Sequence, residues 1–263
     1  MTPDQGMTCI EILEPGGPDV LVPATRPVPI AGAGEVVIKV AAAGVNGPDL
    51  MQRKGLYPPP KGASDLLGLE VAGTVAEVGN CVSAWSVGDP ICGLTNGGGY
   101  AEFVVANASH CMSIPLGMSA INAASLPETY FTIWSNIFMT AELVGDEVFL
   151  VHGGAGGLGT TSIQLAKAFG ATVVATDSPA KRCAICAELG ADRVVDYNKE
   201  DFVDVVRNEF GSAQVILDIV GGPYIERNIK AARHDARIVQ LAFAPGSKVE
   251  VNLMPVMLKR LTY

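Results

Sequence analysis

The stretch that most constrains this fold is Val148-Phe149-Leu150-Val151-His152-Gly153-Gly154-Ala155-Gly156-Gly157-Leu158-Gly159. A short apolar run meets a glycine cluster, and the cluster opens a helix-like segment, Thr160 to Phe169. Gly154, Gly156 and Gly159 stand at G-x-G-x-x-G spacing. The first permits a tight turn, the second lets backbone approach a pyrophosphate, and the third lets helix pack on strand. The helix that follows would point its amide groups and the positive end of its dipole at phosphates. A bare glycine fingerprint is weak. This one follows a strand pattern, precedes a helix pattern, and leads to a second strand ending in Asp177. That context predicts dinucleotide binding; the plain alternative is a glycine-rich turn of another α/β protein.

Texture divides the chain into two domains, 1–122 and 123–263. The first half is β-rich, with strands expected over Glu35 to Ala42, Glu70 to Val78 and Tyr100 to Val105. Gly and Pro punctuate it, which suits a compact, irregular, barrel-like domain. The second half opens with helix over Ala123 to Glu142, broken at Pro127. Strands are expected at Glu147 to His152, Thr172 to Thr176, Arg193 to Val195, Val215 to Val220 and Arg237 to Ala242, with helices between most of them. Short β-branched runs alternating with helices predict a doubly wound parallel sheet with right-handed crossovers. With the glycine turn on its first strand, this is a Rossmann half. Arg260-Leu261-Thr262-Tyr263 reads as the opening of another strand.

The 263 residues suffice for two domains. A hydrophobic share of 49% and a charged share of 17% argue for a large core and against disorder. The net charge of −9 argues against a general affinity for nucleic acid or anionic membrane. No apolar run is long enough to span a bilayer and no signal-peptide pattern leads the chain, so a cytoplasmic protein is the default. Of six cysteines only Cys183 and Cys186 form a C-x-x-C, on an expected helix. Packed, reduced thiols are the reading for a cytosolic chain.

The segments Gly44-Val45-Asn46-Gly47-Pro48-Asp49, Gly55-Leu56-Tyr57-Pro58 and Gly68-Leu69-Glu70-Val71-Ala72-Gly73 carry a family resemblance. So do Val87-Gly88-Asp89, Pro127-Glu128-Thr129-Tyr130-Phe131-Thr132-Ile133-Trp134, the glycine turn, and Leu217-Asp218-Ile219-Val220-Gly221-Gly222. Together the chain resembles the zinc-independent quinone oxidoreductases of the medium-chain dehydrogenase/reductase superfamily, the zeta-crystallin and p53-inducible quinone reductase group. The resemblance covers essentially the whole chain. It implies a GroES-like catalytic domain followed by the Rossmann domain. Zinc alcohol dehydrogenases of the superfamily carry a ligand cysteine near Asn46 and a Gly-His-Glu where this chain has Gly68-Leu69-Glu70. Neither ligand is present, nor is a four-cysteine lobe, so no metal is expected. Family members also continue for several dozen residues past Tyr263, and the resemblance therefore implies a shortened chain.

By the same resemblance, Asn46 and Tyr57 lie beside nicotinamide and substrate, the first as an amide donor and the second as a phenol and an aromatic wall. Thr132 contacts the nicotinamide end. The backbone of Ala155, Gly156, Gly157 and Leu158 holds the pyrophosphate. Val220 and the segment Leu241, Ala242 and Phe243, at strand ends, line the nicotinamide ribose side. Glu128 reads as a helix N-terminal carboxylate after Pro127, and His152 as a packed or hydrogen-bonded turn residue rather than an acid/base. Asp177 stands where a carboxylate holds the ribose 2′-hydroxyl of NAD. Ser178, Lys181, Arg182 and Tyr197 are nearby, however, and the Ser178 to Lys181 spacing and Tyr197 match family positions around a 2′-phosphate; the plain alternative for Lys181 and Arg182 is a solvated helix start. The expected cofactor is therefore NADPH, with NADH as the alternative.

The implied activity is a metal-independent NADPH:quinone oxidoreductase. Two alternatives stay open: a reductase of α,β-unsaturated carbonyls, whose site logic is nearly the same, and a truncated, catalytically silent NAD(P)H-binding protein. The expected partner is a small-molecule quinone or enone, with no nucleic acid and no membrane. The family implies a homodimer, and loss of its C-terminal edge strand would leave a monomer or an aggregation-prone species.

Overall fold

The computed structural model describes residues 6–263; the first five residues of the expected N-terminal domain lie outside it. The chain forms two compact units, one ending at Glu128 and the other running Thr129–Tyr263.

The first unit is built on an antiparallel sheet in the order β6-β3-β4-β5-β7. Its strands are β3 (Glu35–Ala43), β4 (Glu70–Val78), β5 (Pro90–Leu94), β6 (Phe103–Asn107) and β7 (Cys111–Ser113). A separate hairpin pairs β1 (Gly6–Ile12) with β2 (Leu21–Pro27). Val36, Ile38, Val71, Val75 and Ile91 form one core. Helix α1 (Gly47–Arg53) follows directly on Asn46, and the short α2 is Ala120–Ala123.

The second unit opens with α3 (Pro127–Ile133), whose first residues close the first unit, and a π-helical stretch, Trp134–Thr140. Its sheet contains β8 (Val148–His152), β9 (Thr172–Asp177), β10 (Arg193–Asp196), β11 (Ala213–Asp218) and β12 (Ala232–Gln240). The order is β10-β9-β8-β11-β12 and every pairing is parallel. The crossover helices are α4 (Gly157–Ala168), α5 (Ala180–Glu188), α6 (Phe202–Phe210) and α7 (Pro223–Ala231); α8 is Met254–Lys259. Strand order reverses beside β8, so the crevice at the carboxyl ends of β8, β9 and β11 is the ligand position of such sheets. Phe149, Leu150 and Val151 are fully buried, which is why β8 reads as an unbroken apolar run. Thr262 forms a single isolated parallel bridge with Arg237 of β12, and Arg260, expected to open that strand, caps the end of α8 instead.

Candidate functional site

The site of the second unit begins where β8 ends. Gly153 has φ +68, so the left-handed residue of the turn precedes the fingerprint rather than being its first glycine. Gly154 is instead required by close packing, because a Cβ there would meet the Cys186 sulfur at 2.7 Å. A Cβ on Gly159 would lie 2.3 Å from the Gly153 carbonyl oxygen, so only glycine lets α4 approach the turn. The four residues expected to hold a pyrophosphate divide. Ala155 N–H donates to Asp177 Oδ2 at 2.8 Å, and Gly156 N–H donates to the Gly153 carbonyl at 2.9 Å. Those two bonds shape the turn. Gly157 and Leu158 open α4, where N–H groups lack a carbonyl partner within the helix.

Asp177 ends β9 with its side chain 4% exposed and paired with Arg182. Burial pushes its pKa up, but Arg182 and the N–H groups of Ala155 and Ser178 outweigh that and hold it below the usual carboxylate range. Ser178 Oγ accepts from Asn198 Nδ2 at 2.7 Å, while Lys181 and Tyr197 are exposed. Thr132 lies on α3, half-buried. Val220 and the segment Leu241–Phe243 do come together. Leu241 N–H donates to the Asp218 carbonyl and Ala244 N–H to the Val220 carbonyl, both at 2.9 Å. The Cys183 and Cys186 thiols donate to the Asp177 and Arg182 carbonyls, and burial raises both pKa values.

His152, read from the sequence as packed or hydrogen-bonded, belongs to a polar chain under this crevice whose other members the sequence did not reveal. His152, Asn228 and Asp218 are all fully buried. Asp218 Oδ1 accepts from Val220 N–H at 2.6 Å and Gly221 N–H at 2.9 Å. Its Oδ2 accepts from Asn228 Nδ2 at 2.8 Å. Asn228 Oδ1 must then accept from His152 Nε2, 2.8 Å away, leaving Nδ1 to accept from the Thr176 hydroxyl at 2.8 Å. The bonding thus selects the Nε2–H tautomer. Burial pushes the imidazole pKa down to about 4 against the opposing pull of Asn228 and Asp218. The chain ties together the carboxyl ends of β9, β8 and β11. Its only sequence signal was a histidine inside an apolar strand.

In the first unit, Asn46 caps α1. Its backbone N–H donates to Asp49 Oδ2 at 2.8 Å, and its side-chain Nδ2 donates to Glu70 Oε1 at 2.9 Å. Glu70 Oε2 accepts from Glu128 N–H at 2.9 Å, and Asp49 Oδ1 from Gly68 N–H at 3.0 Å. Glu70 and Asp49 are each 2% exposed. Burial pushes Glu70 up, while the Asn46 and Glu128 bonds pull it down. Burial and the Glu70 charge also raise Glu128. The Glu70 anion requires a donor, which fixes the Asn46 amide orientation and leaves its second Nδ2–H for another partner. Tyr57 lies on the loop after α1, 49% exposed.

Residues 157–263 match the family described as Zinc-binding dehydrogenase, and residues 32–116 match the Alcohol dehydrogenase GroES-like domain. The mouse quinone oxidoreductase is 30% identical over 259 residues, covering 96% of this chain and 78% of that protein. The chain belongs to the quinone oxidoreductase family of medium-chain dehydrogenases/reductases. Among solved structures of this fold, a mycobacterial protein complexed with NADPH aligns with a TM-score of 0.84 at 31% identity, over 97% of this chain and 80% of that one. The CurK enoyl reductase aligns with a TM-score of 0.85 at 28% identity, over 98% and 80%. Family membership accounts for the GroES-like unit and the Rossmann unit in this order.

Proposed function

We propose that the protein is an NADPH-dependent, metal-independent quinone oxidoreductase. The observation that carries this reading is Asn46, an amide fixed by Glu70 in a family of quinone oxidoreductases. When bound, the nicotinamide supplies a hydride; the chain holds, orients and excludes water. Gly157, Leu158 and the dipole of α4 suit a pyrophosphate, and the Val220 and Leu241–Phe243 segments suit the ribose beyond it. A quinone is already electrophilic, so its reduction needs hydrogen-bond donors rather than a Lewis acid. Asn46 supplies an N–H to the quinone oxygen as charge develops there, and Tyr57 supplies a flat wall for the ring. Among the described residues no three His, Cys, Asp or Glu side chains gather in a way that could hold a metal ion. Homodimerisation and a cytoplasmic location belong to the same reading.

The likeness to an enoyl reductase favours one second reading, reduction of the carbon–carbon double bond of an α,β-unsaturated carbonyl. The test is parallel oxidation of NADPH and NADH by a benzoquinone, a naphthoquinone and a simple enone. Quinone turnover is expected. Asn46→Ala should lower kcat with quinone by about 100- to 1,000-fold, the size of one lost transition-state hydrogen bond, and weaken NADPH far less. Turnover of the enone alone would move the assignment to the second reading. Cofactor-induced thermal stabilisation without any turnover would mark a silent binding protein.

A further inference from the structure

The corner between β9 and α5 presents a carboxylate with no capacity to spare. Asp177 Oδ1 accepts from Ser178 N–H at 2.7 Å and from Arg182 Nε at 2.6 Å. Its Oδ2 accepts from Ala155 N–H at 2.8 Å and from Arg182 Nη2 at 3.1 Å. An ionised carboxylate offers about four lone-pair sites, so these four bonds fill it. A carboxylate that reads a ribose needs an open oxygen for two hydroxyls, and this one is 4% exposed. The arginine differs. Its side chain is 45% exposed, and the two-point grip of Asp177 engages one edge of a planar fork with five N–H donors. The other N–H donors of the fork take no part in that grip. Lys181 stands next to it in the first turn of α5.

We propose that Asp177 is a positioning residue that holds Arg182, in register with the glycine turn, as the recognition group for a nucleotide 2′-phosphate, and that it reads no ribose hydroxyl. The inference rests on the reading that the second unit binds a nicotinamide dinucleotide. It reverses what the position of Asp177 alone suggests. The acidic charge that would repel a 2′-phosphate is matched by the guanidinium it grips. One carboxylate also joins the two ends of the adenosine site, because its other bond runs to Ala155.

The experiment is fluorescence titration of the whole protein with NADPH, NADH and 2′,5′-ADP, for the wild type, Arg182→Gln, Arg182→Lys and Asp177→Asn. The wild type should prefer NADPH. Arg182→Gln should weaken NADPH and 2′,5′-ADP by about 10- to 100-fold, the range for one or two charge-assisted hydrogen bonds, and change NADH less than about threefold. Arg182→Lys should recover part of the loss, since the charge remains and the fork does not. Asp177→Asn should lower the NADPH preference in the same direction. Asp177→Asn weakening NADH while sparing NADPH would restore the ribose-reading role and overturn the proposal. Equal loss of both cofactors in Arg182→Gln, which a purely structural ion pair predicts, would overturn it too. A wild type that prefers NADH ends the inference and leaves the reductase assignment standing. A wild type that binds neither cofactor removes the assignment itself and the inference with it.

Discussion

Asn46 and Glu70 show how one buried carboxylate turns a flexible amide into an aimed one. Glu70 accepts one N–H from Asn46 and one from Glu128. A glutamine in its place could accept through a single oxygen, so one of the two donors would face an NH₂ group. Glu70→Gln is therefore expected to lower kcat with quinone while leaving cofactor affinity unchanged. The pH dependence has a definite sign. Burial raises the folded pKa of Glu70 above 4.5, so between those values the native state binds more protons than the unfolded chain. Stability from this group therefore rises as pH falls through that window, by at most about 1.4 kcal/mol per pH unit. Urea unfolding at pH 7 and pH 5 checks it: the stability of the wild type relative to Glu70→Gln should grow toward pH 5, and a shrinking difference would contradict the mechanism.

Among the elements, β8, β9 and β11 depend on a side-chain chain as well as on their ladders. His152 sits 4.7 Å from the Phe202 ring centroid and 4.8 Å from that of Tyr224, edge-on to both, while its nitrogens serve Thr176 and Asn228. His152→Phe keeps the apolar contacts and strands two buried polar groups, a loss of about 1–3 kcal/mol for each. The folded pKa near 4 lies below the ordinary 6.5, so the unfolded chain takes up a proton first. The wild type should thus lose roughly 2 kcal/mol more than the phenylalanine variant on going from pH 7 to pH 5, by the value of one pKa unit. Equal losses in both proteins would show the imidazole is not buried neutral. The strands of this sheet and the glycine turn were legible in the sequence because apolar runs and glycine spacing are local signals. The hairpin of β1 and β2 was not, since Pro23 and Pro27 demote β2 as a strand. The π-helical stretch was not either: over seven residues, Trp134–Thr140, a helix periodicity cannot be told from its wider relative. His152 and Asn228 stand 76 positions apart, and Glu70 and Glu128 stand 58 apart. No spacing rule connects such pairs; only the fold brings them together.

At the scale of the whole molecule, the matched family description speaks of zinc while the first unit holds an amide and three half- or fully buried carboxyl groups. Each oxygen of Asp49 and Glu70 is held by one N–H donor. Asp49 accepts from Asn46 N–H and Gly68 N–H, and Glu70 from Asn46 Nδ2 and Glu128 N–H. A zinc site of this superfamily needs three or four N, S or O ligands gathered to coordinate, and among the described residues no three His, Cys, Asp or Glu side chains gather so. Cys92 and Cys111 offer no substitute: burial raises both thiols, Cys111 to about 12, so neither is a ready thiolate. Exhaustive dialysis against a chelator should therefore leave both quinone turnover and Tm unchanged, and added zinc should not raise either. Retention of stoichiometric zinc through purification, with activity lost on its removal and restored on its return, would overturn this. It would also require Asn46 to act from outside the metal shell, because a neutral amide bonded to Glu70 has no thiolate's affinity for the ion.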